Sequence, residues 1–295
     1  MFKSGYISII GKPNVGKSTL LNKLLGEKIA ITSKKAQTTR TNICGILTGG
    51  DYQLIFFDTP GIHKADKALN KLMISKIRTA IKDSDAVMFV TDEKGIIDEE
   101  VITYFEIMKD IPSILVINKT ELFHDEKEIE ETEEKFLNCF PFGCVQRISL
   151  IKNEGIKELL SKIIEIMPSG PKYYPQEQIT TETERFIISE LIREKLIEKL
   201  KHEIPYSVAV QIEEIKYRQE KNMYYIKAII FVERESQKII VIGENGKMLK
   251  EIGTMARKSI EAFLDCRVFL ELWVKTKHKW TKKEEWVKKL THQRF

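Results

Sequence analysis

The sequence predicts an α/β domain with a mostly parallel sheet over residues 1–167, a linker over 168–181, and a smaller α+β domain over 182–295. Three observations carry this. Through the first half, strand-length apolar runs alternate with stretches of helical period, the pattern of a parallel sheet covered on both faces. The segment "MPSGPKYYPQEQIT", 167–180, holds three prolines and a glycine and breaks that alternation. Beyond it the order changes to helix, strand, strand, helix, glycine loop, helix, strand. A chain of 295 residues suits two domains, and 42% apolar residues suffice for two cores.

Taken in order, the first strand runs from Tyr6 to Ile10 and leads into "GKPNVGKS", Gly11 to Ser18, a full G-x-x-x-x-G-K-[ST] match. Leu20, Leu21, Leu24 and Leu25 follow at helical core spacing. Strand, glycine loop and helix form the setting in which such a loop cradles phosphates with its backbone N–H groups and the helix N-terminus. Gly11, Lys12, Pro13, Asn14, Val15, Gly16, Lys17, Ser18 and Thr19 are therefore expected to line a nucleoside triphosphate. Lys17 reaches the β- and γ-phosphates and Ser18 holds Mg2+. The polar stretch "ITSKKAQTTRT", 31–41, reads as a loop whose threonine closes on magnesium, Thr39 being the first choice and Thr38 the second. A buried strand, Leu54 to Phe57, ends in Asp58-Thr59-Pro60-Gly61. There Asp58 can hold Mg2+ through water and the Gly61 N–H can sense the γ-phosphate.

Further strands are read at 86–92 and 113–118, with a short fifth at 144–149 before a helix near Gly155. "NKTE", 118–121, and the "ISL" ending in Ser149-Leu150 close two of them. In a parallel sheet ligands bind at the strands' C-terminal ends, and all four loops sit there. This is where a base-reading loop belongs.

Net charge is +5, unevenly placed. Residues 171–295 hold 25 Lys+Arg against 19 Asp+Glu, a balance of +6, and the rest balances at −1. A basic C-terminal part is consistent with a polyanionic partner or an ordinary lysine-rich surface. The four cysteines form no CxxC pair and the five histidines are scattered. The expectation is reduced thiols in a cytosolic protein without a His/Cys metal site. No apolar run reaches bilayer-spanning length and the N-terminus does not read as a signal peptide.

P-loop, threonine loop, DTPG, NK-x-acid and a serine-containing last loop, in that order, resemble a translation-factor-related GTPase. Asn14 in "KPNVGKS" and the "KAQTTR" loop resemble the Era family of bacterial ribosome-assembly GTPases, over nearly the whole chain. The resemblance implies that Asn118 braces the loops, that Lys119 packs along the base, and that the acid at 121 accepts from guanine N1–H and amino group. It also implies that Ser149 and the Leu150 backbone line the other side. Glu121 stands where the family places Asp, and Leu150 where it places Ala. Ile62 stands where many GTPases carry a water-orienting glutamine, so hydrolysis is expected to be slow. In relatives an asparagine equivalent to Asn14 helps hold K+ near the phosphates; a turn-shaping role for Asn14 is the alternative. Asn14, Lys17, Thr39 and Gly61 form the expected catalytic set, with GTP and Mg2+ as ligands.

In the C-terminal part, "RFIISELIREKLIEKL" has helical period, "YSVAVQIEEIKY" and "MYYIKAIIFVE" read as strands, and "VFLELWVKTK" as a last strand. "GENG", Gly243 to Gly246, opens a helix and, with that order, resembles a type II KH domain. Such loops clamp single-stranded RNA beside an apolar groove. Ile242, Gly243, Glu244, Asn245, Gly246, Lys247 and Lys250 are the expected RNA contacts; Met248, Leu249 and Ile252 belong to groove or core. Glu244 and Asn245 occupy a loop that usually carries a basic residue, which leaves Lys247 and Lys250 to supply the charge. The basic C-terminal tail adds contacts to RNA or to an anionic membrane surface, or is a solvated face.

The expected function is a GTP-hydrolysing switch, monomeric and cytoplasmic, with peripheral association at the inner face of the cell membrane left open. By resemblance its partner is the 3′ end of 16S ribosomal RNA during 30S subunit maturation. The alternatives are a constitutive RNA-binding protein with a structural nucleotide domain, and a P-loop small-molecule kinase.

Overall fold

The computed structural model describes residues 1–33, 35, 38–61 and 68–291. They form two compact units divided at Thr181/Glu182, except that Ile31–Thr38 and the start of one helix group with the second.

The first unit runs β1 (Lys3–Gly11), α1 (Lys17–Leu25), β2 (Ile43–Thr48), β3 (Tyr52–Asp58), α2 (Ala68–Lys82), β4 (Ala86–Thr91), α3 (Glu99–Met108), β5 (Ser113–Ile117), α4 (Glu126–Leu137), β6 (Cys144–Arg147) and α5 (Ile156–Ile166). Its sheet has the order β2-β3-β1-β4-β5-β6. All neighbours are parallel except β2, which pairs antiparallel with β3 from Ile43↔Asp58 to Thr48↔Gln53. Strands buried on both faces carry continuous apolar runs. Every residue of β4 and of β5 is buried accordingly. One core layer packs Phe89 against Tyr104, Phe105, Phe136 and Phe142. The helices over it start at acidic caps: the Asp98 side chain accepts from the Val101 N–H and that of Asp125 from the Glu128 N–H. β1 lies between β3 and β4: the chain leaves β1 to one side, for β2 and β3, and then crosses back past β1 to β4 on the other. The crevice this opens at the strands' C-terminal ends is the ligand position of such sheets.

The proline-rich segment expected as a linker is docked on the first unit. The Gln53 carboxamide oxygen accepts from the Tyr173 and Tyr174 N–H groups, and Ile46 N–H donates to the Ile179 carbonyl. β2, which the sequence reading did not anticipate, supplies that edge.

The second unit runs α6 (Glu184–Lys199), α7 (Ile204–Ser207), β7 (Ala209–Arg218), β8 (Met223–Val232), α8 (Glu235–Ile242), α9 (Lys247–Leu264), β9 (Arg267–Thr276) and α10 (Glu284–Thr291). The sheet order is β7-β8-β9, β7 antiparallel and β9 parallel to β8. A parallel β8–β9 pair requires a crossover, which α8 and α9 provide. Ile31–Thr38 is held within this unit: Thr32 N–H donates to the Glu194 carboxylate at 3.0 Å, Lys35 donates to the carbonyls of Ile197 and Leu200, and the Arg193 guanidinium donates to the Thr38 carbonyl.

Candidate nucleotide and nucleic-acid sites

The loop between β1 and α1 turns through positive φ at Gly11, Asn14 and Gly16. At Gly16 a side chain is excluded, because a Cβ there would lie 2.3 Å from the Asn118 Nδ2. That close approach lets Asn118 Nδ2 donate to the Val15 carbonyl at 2.8 Å, tying the NKTE loop to the phosphate loop. Lys17 is buried and its ammonium donates to the carbonyls of Gly11 and Lys12, both at 2.8 Å, so it bridges the loop. Burial lowers its pKa to about 8, against an opposing pull from Asp58.

Asp58, at the C-terminal end of β3, gathers the expected magnesium set. Ser18 Oγ donates to its Oδ2 at 2.5 Å, Thr39 Oγ1 donates to the same oxygen at 3.3 Å, and the two hydroxyls are 2.9 Å apart. Asp58 is fully buried and its Oδ1 has no hydrogen-bond partner. Desolvation raises its pKa to about 6, more than the two hydroxyls and Lys17 lower it. An orphaned carboxylate oxygen beside two hydroxyl oxygens is a hard, anionic donor set, and it fits Mg2+. Thr39, not Thr38, stands at this carboxylate; the Thr38 hydroxyl donates to the Lys35 carbonyl instead. Gly61 packs on Pro13 with no room for a side chain. Ile62 and, from the threonine loop, residues 34, 36 and 37 lie outside the described residues.

The third cluster lies at the ends of β5 and β6. Ser149, fully buried, donates from Oγ to Glu121 Oε2, and Glu121 Oε1 is buried without a partner. Lys119, at φ 62°, reaches Asp92 Oδ2 at 2.7 Å. Leu150 is buried, its Cδ1 3.3 Å from where a Cβ on Gly16 would lie. Asp92 was not among the residues singled out from sequence; its signal was its place at the end of β4, beside the other loops. Lys12 pairs instead with Asp98 and Glu100.

In the second unit the turn between α8 and α9 needs positive φ at Gly243, Asn245 and Gly246. A Cβ on Gly243 would lie 2.6 Å from that of Met248. Glu244, Asn245, Lys247 and Lys250 are exposed and Ile242 is half-buried. A groove of about 380 Å³ runs beside the turn, lined from α9 by Leu249, Lys250, Gly253 and Arg257 and from β9 by Phe269 and Leu272 among others. Gly246 and Lys250 were expected as RNA contacts, and the sequence leaves Leu249 open between groove and core. Ile252 is fully buried and belongs to the core. Arg257 and the β9 residues were missed.

These features define a P-loop nucleotide-binding protein with an NK-x-acid loop, joined to an RNA-binding type of domain. Family models agree: residues 6–119 match the 50S ribosome-binding GTPases and residues 203–281 the KH domain. The chain is 44% identical to the GTPase Era of Clostridium kluyveri, over 99% of this chain and all of that one. It is 45% identical to the GTPase Era of Thermoanaerobacter sp. strain X514, over 98% and 96%. Among solved structures it resembles Era in complex with MgGDPNP and nucleotides 1506–1542 of 16S ribosomal RNA, with a TM-score of 0.94 and 36% identity over 98% of this chain and 99% of that one. A singly substituted Aquifex aeolicus Era bound to GDP·AlF4− matches equally well. The chain belongs to the GTPase Era family.

Proposed function

We propose that this protein hydrolyses GTP as a switch and, in its GTP state, binds the single-stranded 3′ end of 16S ribosomal RNA during assembly of the 30S subunit. The observation that carries the reading is the Ser18–Asp58–Thr39 cluster with its orphaned oxygen. Thr39 stands at the carboxylate that would hold magnesium, where a loop threonine closes on the ion when the γ-phosphate is present and releases it after hydrolysis.

Ser18, Thr39 and Asp58 would hold Mg2+, which when bound neutralises triphosphate charge. Lys17 is largely protonated at neutral pH and, being desolvated, acts more strongly on phosphate than a solvated ammonium. Glu121 Oε1 is the acceptor for guanine N1–H, and Asn118 fixes the loop that presents it. Adenine offers an acceptor at N1, which leaves that buried oxygen unsatisfied, and such sites reject the mismatch. Asn14 is the protein ligand available for a K+ ion beside the phosphates. In the second unit Lys250 and Arg257 meet the RNA backbone while Leu249 and Leu272 floor the groove for bases.

The test is RNA affinity of the full chain, loaded with a non-hydrolysable GTP analogue or with GDP, for a single-stranded RNA of the 16S 3′-end sequence. Tighter binding in the GTP-analogue state is expected. Equal affinity in both states overturns the switch and leaves a constitutive RNA-binding protein.

A further inference from the structure

We propose a second RNA contact, a base-stacking surface on the sheet face opposite the groove, centred on Trp273. It rests on the reading of the groove as an RNA site and extends it. β9 is an edge strand, with β8 its one neighbour in the sheet. Its residues alternate between faces: Leu270 and Leu272 line the groove beside α9, and Phe269, which also borders the groove, turns the other way with Glu271 and Trp273. Phe269 and Trp273 are 54% and 53% exposed, unusual for large aromatic side chains on one short strand.

The rings on this face are held in fixed orientations. Glu271 accepts from Trp273 Nε1 at 2.5 Å and from the Tyr225 hydroxyl at 2.6 Å, joining neighbouring strands. Tyr225 lies almost parallel to Phe269, with centroids 6.0 Å apart and 16° between planes. The Arg218 guanidinium sits 4.7 Å over the Tyr225 ring. Lys227 and Lys275 stand on the same face, sharing the Glu213 carboxylate. Rings ordered by side-chain hydrogen bonds, with cations around them, are the elements of a sequence-tolerant surface for single strands.

Continuity with the groove selects RNA as the occupant. Phe269 belongs to both surfaces: it lines the groove and stacks on Tyr225. A KH groove clamps four nucleotides. A longer strand leaving it over the edge of β9 meets Phe269 first and the Trp273 ring next. Exposed apolar rings of this kind also serve a second copy of a chain, so the test separates that occupant.

The experiment compares two 12-nucleotide single-stranded RNAs of the same mixed sequence, one intact and one with abasic riboses outside its central four nucleotides. Both are titrated into the full-length protein loaded with a GTP analogue. The wild type is expected to prefer the intact RNA by about tenfold, the scale of one base stacked on one ring. Trp273→Ser is expected to abolish the preference without changing affinity for the abasic RNA, and Trp273→Phe to retain most of it. An unchanged preference in Trp273→Ser overturns the proposal. So does a wild type that binds the two RNAs equally. Loss of self-association in sedimentation, with RNA binding intact, assigns the face to a second copy. Failure of the wild type to bind either RNA is the separate result that removes the groove itself.

Discussion

Asp58→Asn should stabilise the protein while disabling its site. In the protein without ligand, burial raises the Asp58 pKa from 3.8 to about 6. Between those values the folded state binds more protons than the unfolded one, so this group's contribution to stability falls as pH rises from about 4 to about 6 and stays low above. The shift of about two pKa units corresponds to about 3 kcal/mol against folding at pH 8, at about 1.4 kcal/mol per unit. An amide of the same shape carries no charge to desolvate. The attraction of Lys17 is already contained in that raised value, so the net gain is about 3 kcal/mol. For a unit of this size that raises the melting temperature by about 6–12 °C. The assay is thermal unfolding followed by circular dichroism, with EDTA and without nucleotide, at pH 8 and pH 4. The variant should melt higher at pH 8 and the gap should close at pH 4. The same variant should lose Mg2+-dependent affinity for a fluorescent GTP analogue. A variant that melts at or below the wild type at pH 8 would refute the account of Asp58 as a strained carboxylate waiting for a cation.

Hydrolysis should run faster in potassium than in sodium salts, and Asn14→Ala should remove the difference; equal wild-type rates in both salts would take the ion away from Asn14. Replacing Glu244 and Asn245 together by aspartate should lower RNA affinity severalfold at low salt and leave GTP binding intact, since the added charges face a phosphate backbone. Unchanged affinity would move the RNA contacts to other basic residues. Arg257→Ala, which removes the α9 cation that sequence reading missed, should weaken RNA binding and flatten its salt dependence, with the slope of affinity against salt as the readout.

What the sequence carried legibly was contiguous and locally forced. The phosphate loop is such a case, because glycines at positive φ and a lysine at fixed spacing are demanded by the loop itself. The alternation that gave the parallel sheet is another, because strands buried on both faces leave no polar positions to blur it. The antiparallel edge strand β2 was not legible: "ICGILT" is short, holds a glycine, and owes its strand state to pairing with β3. The proline-rich segment read as a linker because prolines and polar residues usually mark one, yet Gln53, far off in sequence, supplies the carboxamide that docks it. Arg257 and Leu272 line one groove only after α9 folds against β9, so no spacing within either element announces them. Ile252, which the sequence left open between groove and core, lies in the core, its place on α9 being fixed by helix rotation.

Glu121 shows how a departure from the family's residue can be absorbed. The longer stem carries Oε2 to the Ser149 hydroxyl and leaves Oε1 buried and unpaired. Ser149 thus anchors one oxygen and orients the other, which under the proposed function makes it a positioning residue for base recognition. Removing that hydroxyl by Ser149→Ala should free the carboxylate to rotate. A hydrogen bond to a charged acceptor contributes about 1.5–3 kcal/mol, so GTP affinity should fall about tenfold. Discrimination against ATP should fall with it, because a mobile glutamate no longer presents a fixed acceptor where adenine N1 would stand. Glu121→Asp should be nearly insensitive to the same serine change, since the shorter side chain does not depend on that anchor. Competition of GTP and ATP against a fluorescent guanine nucleotide, across the two single variants and the double variant, measures the coupling directly. If the serine change costs the same with Asp as with Glu at 121, the hydroxyl acts on the base itself and not through the carboxylate.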